Sequence, residues 1–237
     1  MRKTIFITGV TRMRNGFVCV SGIDSNGDFV RPEISYPERK GIKNDYLFVS
    51  GDVVIKPLVK VELNFLRPTP KSAFHTEDWL IDGTVPPKLI SEPSGDEIKN
   101  ILSENSDKSL DDALHDQSRS LIIVRAQGTP QVRVNFHDGR LKSHLSFYDE
   151  SGKYHDRLPV TDCNWLASVK YLWKNDRLHL EQRLERALSH KKVYMRIGIT
   201  REWKGQRWRQ ISGVFSVPDW LKGRCFADFG YDFSDEV

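Results

Sequence analysis

The sequence predicts a mainly β protein of the α+β class, with two small β-barrels and linking helices. Short segments rich in β-branched residues follow one another, with turn signals about every ten residues, as in barrels and sandwiches. These segments lie too close together for the crossover helices that a parallel α/β sheet requires. The chain has 237 residues, of which 38% are hydrophobic and 29% are charged, so it can bury a core.

The first barrel is predicted from strands in the N-terminal third of the chain, at residues 3–10, 16–23, 29–32, 47–49 and 53–65. Asn15-Gly16 favours a tight turn between the first two, because this dipeptide tolerates positive φ. Pro32 lacks a backbone N–H and should end its strand or lie at an edge. Residues 66–95 carry five prolines and are predicted to be mostly loop.

The segment after this loop is predicted to hold one or two short acidic helices, within residues 95–117. Ser94 and Glu97 form a capping-box pattern, and Ser109 with Asp112 resembles it. The predicted domains are therefore an N-terminal barrel at 1–92, an acidic helical linker at 93–118, and a C-terminal barrel with inserted helices at 119–237.

The second barrel is predicted from strands at 121–126, 131–136, 141–148, 193–200 and 208–217. Asp162 is a predicted N-cap for a helix at 164–173, because a carboxylate there can accept from free backbone N–H groups. Residues 178–188 show apolar positions on one helical face. A basic hairpin, residues 201–207, joins the last two strands.

Charge is unevenly distributed along the chain, although the net charge is only +4. Residues 165–224 hold 14 Lys/Arg against 5 Asp/Glu, whereas residues 91–118 hold 8 Asp/Glu against 2 Lys. A local excess of positive charge steers polyanions towards a surface. The alternative is a solvated surface of interspersed charges.

The three cysteines, Cys19, Cys163 and Cys225, are odd in number and far apart, so neither a disulfide framework nor a zinc site is expected. We predict reduced thiols in a cytoplasmic protein, without cofactor or metal. No apolar stretch is long enough for a membrane helix, and the N-terminal apolar run is predicted to be a strand and not a signal peptide.

The basic hairpin is the main candidate for nucleic-acid contacts. It combines cations with rings on which bases can stack: Arg196, Arg201, Trp203, Lys204, Arg207, Trp208, Arg209 and, on the following strand, Gln210. Strand alternation puts Trp208 and Gln210 on one face and Arg209 on the other, so only part of the cluster can form one site. In the alternative interpretation, one Trp belongs to the core and the arginines are scattered.

A second candidate is formed by Arg12, Arg14 and Arg31 around the first three strands, where guanidinium groups could hold phosphate by paired hydrogen bonds. They could equally be separate surface arginines. A third candidate, His75 with Glu77 and Asp78, has the residue types of an acid/base pair or of metal ligands. A structural loop explains this third group better, so no catalytic residue is predicted.

Several of these segments resemble the prokaryotic dual OB-containing domain family. The resemblance lies in Phe17-Val-Cys-Val-Ser-Gly-Ile-Asp with Gly27-Asp-Phe-Val-Arg-Pro, in His75-Thr-Glu-Asp-Trp, in Arg196-Ile-Gly-Ile-Thr-Arg and in Trp208-Arg-Gln-Ile-Ser-Gly. It implies two OB-like barrels and nucleic-acid binding, in a bacterial defence or nucleic-acid-processing system. Only Arg31, Arg196, Trp208 and Gln210 transfer as candidate contacts, and Phe29 stands where the family tends to have Trp.

Three functions are therefore considered. The first is a non-enzymatic module that binds single-stranded or structured DNA or RNA. The second is a protein-interaction subunit that uses the acidic linker or a barrel edge. The third is an enzyme built around His75, Glu77 and Asp78.

Overall fold

The computed structural model describes residues 1–37, 39–70, 72, 74–115, 118–137, 140–200, 205–231 and 233, with residues 137 and 140 described by their backbone alone. The chain forms two compact units. The first comprises 1–94, 117–120 and 232–237, and the second comprises 95–116 and 121–231. The acidic helices therefore group with the second unit, whereas the predicted boundaries set 93–118 apart as a linker.

The described residues of the first unit form nine strands: β1 (Arg2–Arg12), β2 (Phe17–Asp24), β3 (Phe29–Ser35), β4 (Lys40–Lys43), β5 (Phe48–Val49), β6 (Asp52–Val53), β7 (Lys60–Pro68), β8 (Asp78–Ile81) and β9 (Lys88–Ser91). β1 pairs antiparallel with both β2 and β7. β7 pairs antiparallel with β8, and β8 pairs in parallel with β3. The five strands β1, β2, β3, β7 and β8 thus close into a barrel.

Local sequence explains the tight packing of this first barrel. Asn15 and Gly16 have φ values of 59° and 68°, as the predicted turn requires. Gly22 lies where β1 crosses β2, and a Cβ atom there would come within 2.5 Å of the Phe6 carbonyl oxygen. The alternating residues Val61, Leu63 and Phe65 of β7 are buried in the core.

In the second unit, the part of the chain that the structure describes forms four α-helices and five strands: α1 (Gly95–Glu104), α2 (Leu110–His115), β10 (Leu121–His137), β11 (Arg140–Tyr148), β12 (Tyr154–Pro159), α3 (Cys163–Asn175), α4 (Leu180–Leu188), β13 (Lys192–Ile199) and β14 (Arg209–Val217). The strand order is β12-β11-β10-β13-β14. A parallel bridge between Val160 and Ile211 joins the two ends of this sheet. The connectivity repeats that of the first unit, with helices inserted between the third and fourth strands.

The predicted cap of α3 and the predicted apolar face of α4 are both present in the structure. The Asp162 side chain accepts a hydrogen bond from the Asn164 backbone N–H and caps α3. Trp165 is fully buried, and its indole Nε1 donates to the Ser143 hydroxyl at 2.8 Å. Leu180, Leu184 and Leu188 form the buried face of α4. None of the helices in the described residues has the length and apolarity needed to span a membrane.

The mainly β fold class with two barrels is confirmed. The described residues of the stretch 66–95, predicted to be mostly loop, lie mostly outside strands and helices, although the stretch also contains β8 and β9. One local prediction differs from the structure. The predicted strands 121–126 and 131–136 are one strand, β10, with an irregular register between Gln127 and Gln131. All three cysteines are free thiols.

Candidate nucleic-acid interface

The exposed side of β11 and β12 carries both cations and aromatic rings. In the β10–β11 ladder, Arg133 lies opposite His144 and Asn135 lies opposite Lys142. Residues directly opposite in an antiparallel pair point to the same side. Leu145 and Phe147, which alternate with these residues, are buried. We call this surface the outer face, and it consists of Arg133, Asn135, Lys142, His144, Tyr148, Tyr154 and Arg157.

Two tyrosine rings lie together at one end of the outer face. Tyr148 is the last residue of β11, Tyr154 is the first of β12, and the two are paired across the ladder. Their ring centroids are 4.8 Å apart at an interplanar angle of 44°. The residues are 51% and 39% exposed, respectively. A tight turn has therefore placed two aromatic surfaces side by side in contact with solvent.

Asp149 fixes the turn that holds these rings. Its buried carboxylate accepts from the backbone N–H of Leu110, at 3.0 Å, and from those of Ser151 and Lys153. It also contacts His155 Nε2 at 2.8 Å and the Ser151 hydroxyl at 2.5 Å. Burial alone would raise the pKa of Asp149, but these hydrogen bonds outweigh it and lower the pKa to about 2. The carboxylate is thus charged, and it orders the residues between the two tyrosines.

Positive charge follows the same face away from the tyrosines. Lys142 is exposed, and the Arg133 and Arg157 side chains are 58% and 76% exposed. Burial, together with the charges of Lys142 and Arg157, lowers the pKa of His144. Two acids lie beside these cations: the Asp156 carboxylate is 3.8 Å from Arg157 Nε, and the Glu181 carboxylate of α4 is 3.4 Å from Arg133 Nη1. The face therefore presents several cations near two exposed rings.

A third exposed ring, that of Trp208, lies in the β13–β14 hairpin directly before β14. Trp208 is 56% exposed, its backbone N–H donates to the Thr200 hydroxyl, and its carbonyl accepts from the Thr200 N–H. Arg207 is exposed, and Gln210 is half-buried. Arg209 pairs with Asp111 of α2 at 2.7 Å. The predicted residues Arg201, Trp203 and Lys204 lie outside the described residues.

The structure places Arg31 inside the closure of the first barrel, which corrects its predicted role as a phosphate contact. Its guanidinium Nη1 lies 2.7 Å from the Asp78 carboxylate, and Nη2 donates to the Ser120 hydroxyl at 2.7 Å. The residue is 8% exposed. Arg12 is half-buried at the end of β1, and Arg14 is exposed in the loop that follows. The three arginines do not form one phosphate site, because Arg31 is committed to the core.

Arg196 requires the same correction. It is 1% exposed in the middle of β13, and its Nη1 donates to the Ser212 hydroxyl at 3.0 Å. Burial raises the pKa of nearby Asp162 to about 7, against the opposing effects of backbone hydrogen bonds and of the Arg196 charge. Arg196 is therefore an internal polar residue of the second barrel, beyond the reach of a nucleic acid.

The His75 segment is built into the first barrel. Glu77 accepts from the backbone N–H and the hydroxyl of Ser120, at 2.5 and 3.2 Å. His75 Nδ1 lies 3.2 Å from the Ser72 hydroxyl. Together with the Arg31–Asp78 pair, these contacts give all three candidate catalytic residues structural partners. Among the described residues, no three His, Cys, Asp or Glu side chains are placed to hold a metal ion.

Sequence reasoning missed the tyrosine pair. The predicted strand 141–148 ends at Tyr148, and the next residues, Asp149-Glu-Ser-Gly-Lys, have the composition of a turn that is followed directly by Tyr154. An aromatic residue on each side of one turn-like segment was the available signal.

Comparison with known proteins decides the family. The sequence model of the dual OB-containing domain matches residues 3–214. The chain belongs to the dual OB-containing domain family. No curated protein matches significantly. Among solved structures, the chain is similar to a murine DNA-binding protein determined with double-stranded DNA, at 8% identity and a TM-score of 0.35, over 91% of this chain and 97% of that one.

Proposed function

We propose that this dual OB protein binds single-stranded nucleic acid on the outer face of its second barrel. OB barrels bind oligonucleotides on the face of their second and third strands and with the loops that join strands 1–2 and 4–5. In this barrel the second and third strands are β11 and β12, and the 4–5 loop is the predicted basic hairpin. The observation that carries the proposal is the exposed Tyr148–Tyr154 pair beside the cations of the same face.

The chemistry favours a single strand over a duplex. Exposed rings can stack on bases only when the bases are unstacked and unpaired. Arg133, Lys142 and Arg157 would hold phosphates in a salt-dependent way. Arg207, Trp208 and Gln210 stay in the proposed interface, as do Arg201 and Trp203, and Arg12 and Arg14 remain separate proposed contacts of the first barrel. Non-enzymatic action in a bacterial defence or nucleic-acid-processing system is proposed on the family resemblance alone.

The test is fluorescence anisotropy with labelled single-stranded DNA and RNA of about 16 nucleotides, the upper end of the usual OB site size. Tyr148→Ala/Tyr154→Ala should weaken binding by about tenfold or more, because each stacked base contributes about 1–3 kcal/mol. Lys142→Gln/Arg157→Gln should reduce the slope of log affinity against log salt by about 1.4.

The matched control is Tyr171→Ala. Tyr171 is a 48% exposed ring that packs edge-on against Phe229, and it lies on α3 and not on the strands that form the outer face. It should leave the affinity unchanged. Equal affinity for wild type and the double tyrosine variant, or no binding to either oligonucleotide, would contradict the proposal.

A protein-interaction role is the second candidate, and β9 is the observation that favours it. β9 lies at the edge of the first sheet and, among the described strands, pairs only with β7. Leu89 and Ile90 are 38% and 44% exposed on it. Exposed strand edges can pair with a strand of another protein. Co-purification of a stable partner that Leu89→Lys/Ile90→Lys releases, with no nucleic acid present, would support this role.

A further inference from the structure

A second aromatic and basic surface lies on the C-terminal half of α3. Lys170, Trp173 and Lys174 lie on neighbouring positions of one helical face, and Arg177 follows in the next turn of chain. α3 contains no acidic residue along its 13 positions. Two acids near this surface already have partners. Asp176 accepts from Arg183 at 2.8 Å and contacts His179 at 3.3 Å, and the Glu181 carboxylate of α4 accepts from the Val134 backbone N–H at 2.7 Å and lies 3.4 Å from Arg133 Nη1. The surface therefore keeps a local excess of positive charge.

Three planar groups are layered at this surface. The Phe136 and Trp173 rings are stacked, with centroids 5.6 Å apart and an interplanar angle of 20°. The Arg177 guanidinium lies 4.0 Å from the centroid of the Trp173 ring. Phe136 is nevertheless 55% exposed. Packing against the indole thus orients the phenyl ring and leaves more than half of the residue in water.

This surface is distinct from the outer face. Side chains alternate along a strand, so Phe136 points to the opposite side of β10 from Arg133 and Asn135. It shares its side with Val132, which is fully buried, and with Val134. Near the end of β10, this side of the strand meets α3 through the Phe136–Trp173 stack.

We propose that Phe136 is a stacking site for one unpaired base of a single-stranded nucleic acid, with Lys170, Lys174 and Arg177 holding the adjacent phosphates. We call these four residues, with Trp173, the α3 subsite. The inference rests on the proposed function, because it assigns a second contact to the same ligand. Because Trp173 already orients the Phe136 ring, little side-chain conformational entropy is lost when a base stacks on it, and this favours binding. The cations match the charge of the strand and are less suited to a purely apolar protein segment.

Photocrosslinking tests the α3 subsite directly. A single strand of about 16 nucleotides, substituted throughout with 5-iodouracil, is bound and irradiated, and the modified peptides are mapped. Adducts are expected both on Tyr148 or Tyr154 and on Phe136. Phe136→Leu keeps an apolar side chain and should lose the second adduct and about five- to 100-fold in affinity, while the first adduct remains. Lys174→Gln/Arg177→Gln should lower the salt slope by about 1.4.

Controls separate this inference from the proposed function. Tyr171→Leu changes another exposed ring of α3 and should alter neither adduct, and the thermal midpoint of Phe136→Leu should match wild type. Adducts only on the tyrosines, with wild-type affinity for Phe136→Leu, overturn the α3 subsite and leave the proposed function standing. Adducts only on Phe136 would overturn the outer face as the binding site of the proposed function and leave the α3 subsite standing. A co-purifying protein that Phe136→Leu releases, with oligonucleotide binding unchanged, also overturns the subsite.

Discussion

Replacing Arg31 by Met should destabilise the first barrel without affecting nucleic-acid contacts directly. The Arg31 side chain is 10% exposed, and its partner Asp78 is 0% exposed. Methionine fills part of the space of the arginine stem, but it removes the charge that faces the Asp78 carboxylate. The substitution therefore leaves the buried Asp78 carboxylate next to Glu77 without the guanidinium that links strands β3 and β8.

The expected cost is about 3–5 kcal/mol, the usual penalty for removing one partner of a buried ion pair. Domains are typically stable by about 5–15 kcal/mol, so this is a large fraction of the total. The variant Arg31→Met/Asp78→Leu should recover most of the loss, because two apolar groups in place of a buried pair leave no uncompensated charge. If Arg31 and Asp78 made independent core contacts, the stability losses of the two substitutions would add in the double variant; recovery instead shows that the two residues interact.

Hydrogen exchange is the appropriate assay, since a protein of two units gives no single unfolding free energy. Peptides that cover β3 and β8 should exchange faster in Arg31→Met and near the wild-type rate in the double variant. Arg14→Met, at an exposed arginine, is the matched control and should leave these rates unchanged. The reasoning is refuted if Arg31→Met keeps wild-type exchange while oligonucleotide affinity and its salt slope both fall, because Arg31 would then be a surface contact.

Three further predictions concern Asp149, Asp111 and Gly22. Because the pKa of Asp149 is lowered to about 2, its stabilising effect should be complete above about pH 5 and lost as the pH falls towards 2, and Asp149→Asn should remove this acid transition in near-ultraviolet circular dichroism. Asp111→Asn frees Arg209 and should raise oligonucleotide affinity about two- to fivefold at low salt by anisotropy, whereas Asp112→Asn should not. Gly22→Ala forces a Cβ against the Phe6 carbonyl and should destabilise the first barrel by about 1–3 kcal/mol, seen as faster hydrogen exchange in peptides that cover β1 and β2.

Local signals in the sequence were sufficient for most elements of the fold. The Asn15-Gly16 turn, the Asp162 cap and the alternating β7 each depend on neighbours within a few residues, and each is present in the structure. β8 was missed because it has four residues within a proline-rich stretch, and one of its two partner strands, β3, lies 47 positions earlier. No local pattern reports such a pairing.

The candidate site was harder to predict than the fold. Arg31 and Arg196 were chosen as cations that could meet phosphate, yet each lies between apolar neighbours in a strand that is buried on both sides. Arg196 stands between Met195 and Ile197, which is the available sign of an internal role. Trp208 was expected to be exposed for stacking, and it is exposed. Stacking itself stays a prediction.

The N-terminal barrel cannot be excised by one cut at residue 94. Ser120 belongs to it, although 22 residues of the other unit intervene in the chain, and it supplies the hydroxyl and the N–H that Arg31 and Glu77 use. A fragment that ends at residue 94 would keep the buried Arg31 and Glu77 but would lack Ser120, which hydrogen-bonds to both. Anyone who dissects the two halves must keep residues 117–120 with the first, for instance through a grafted or separately added peptide.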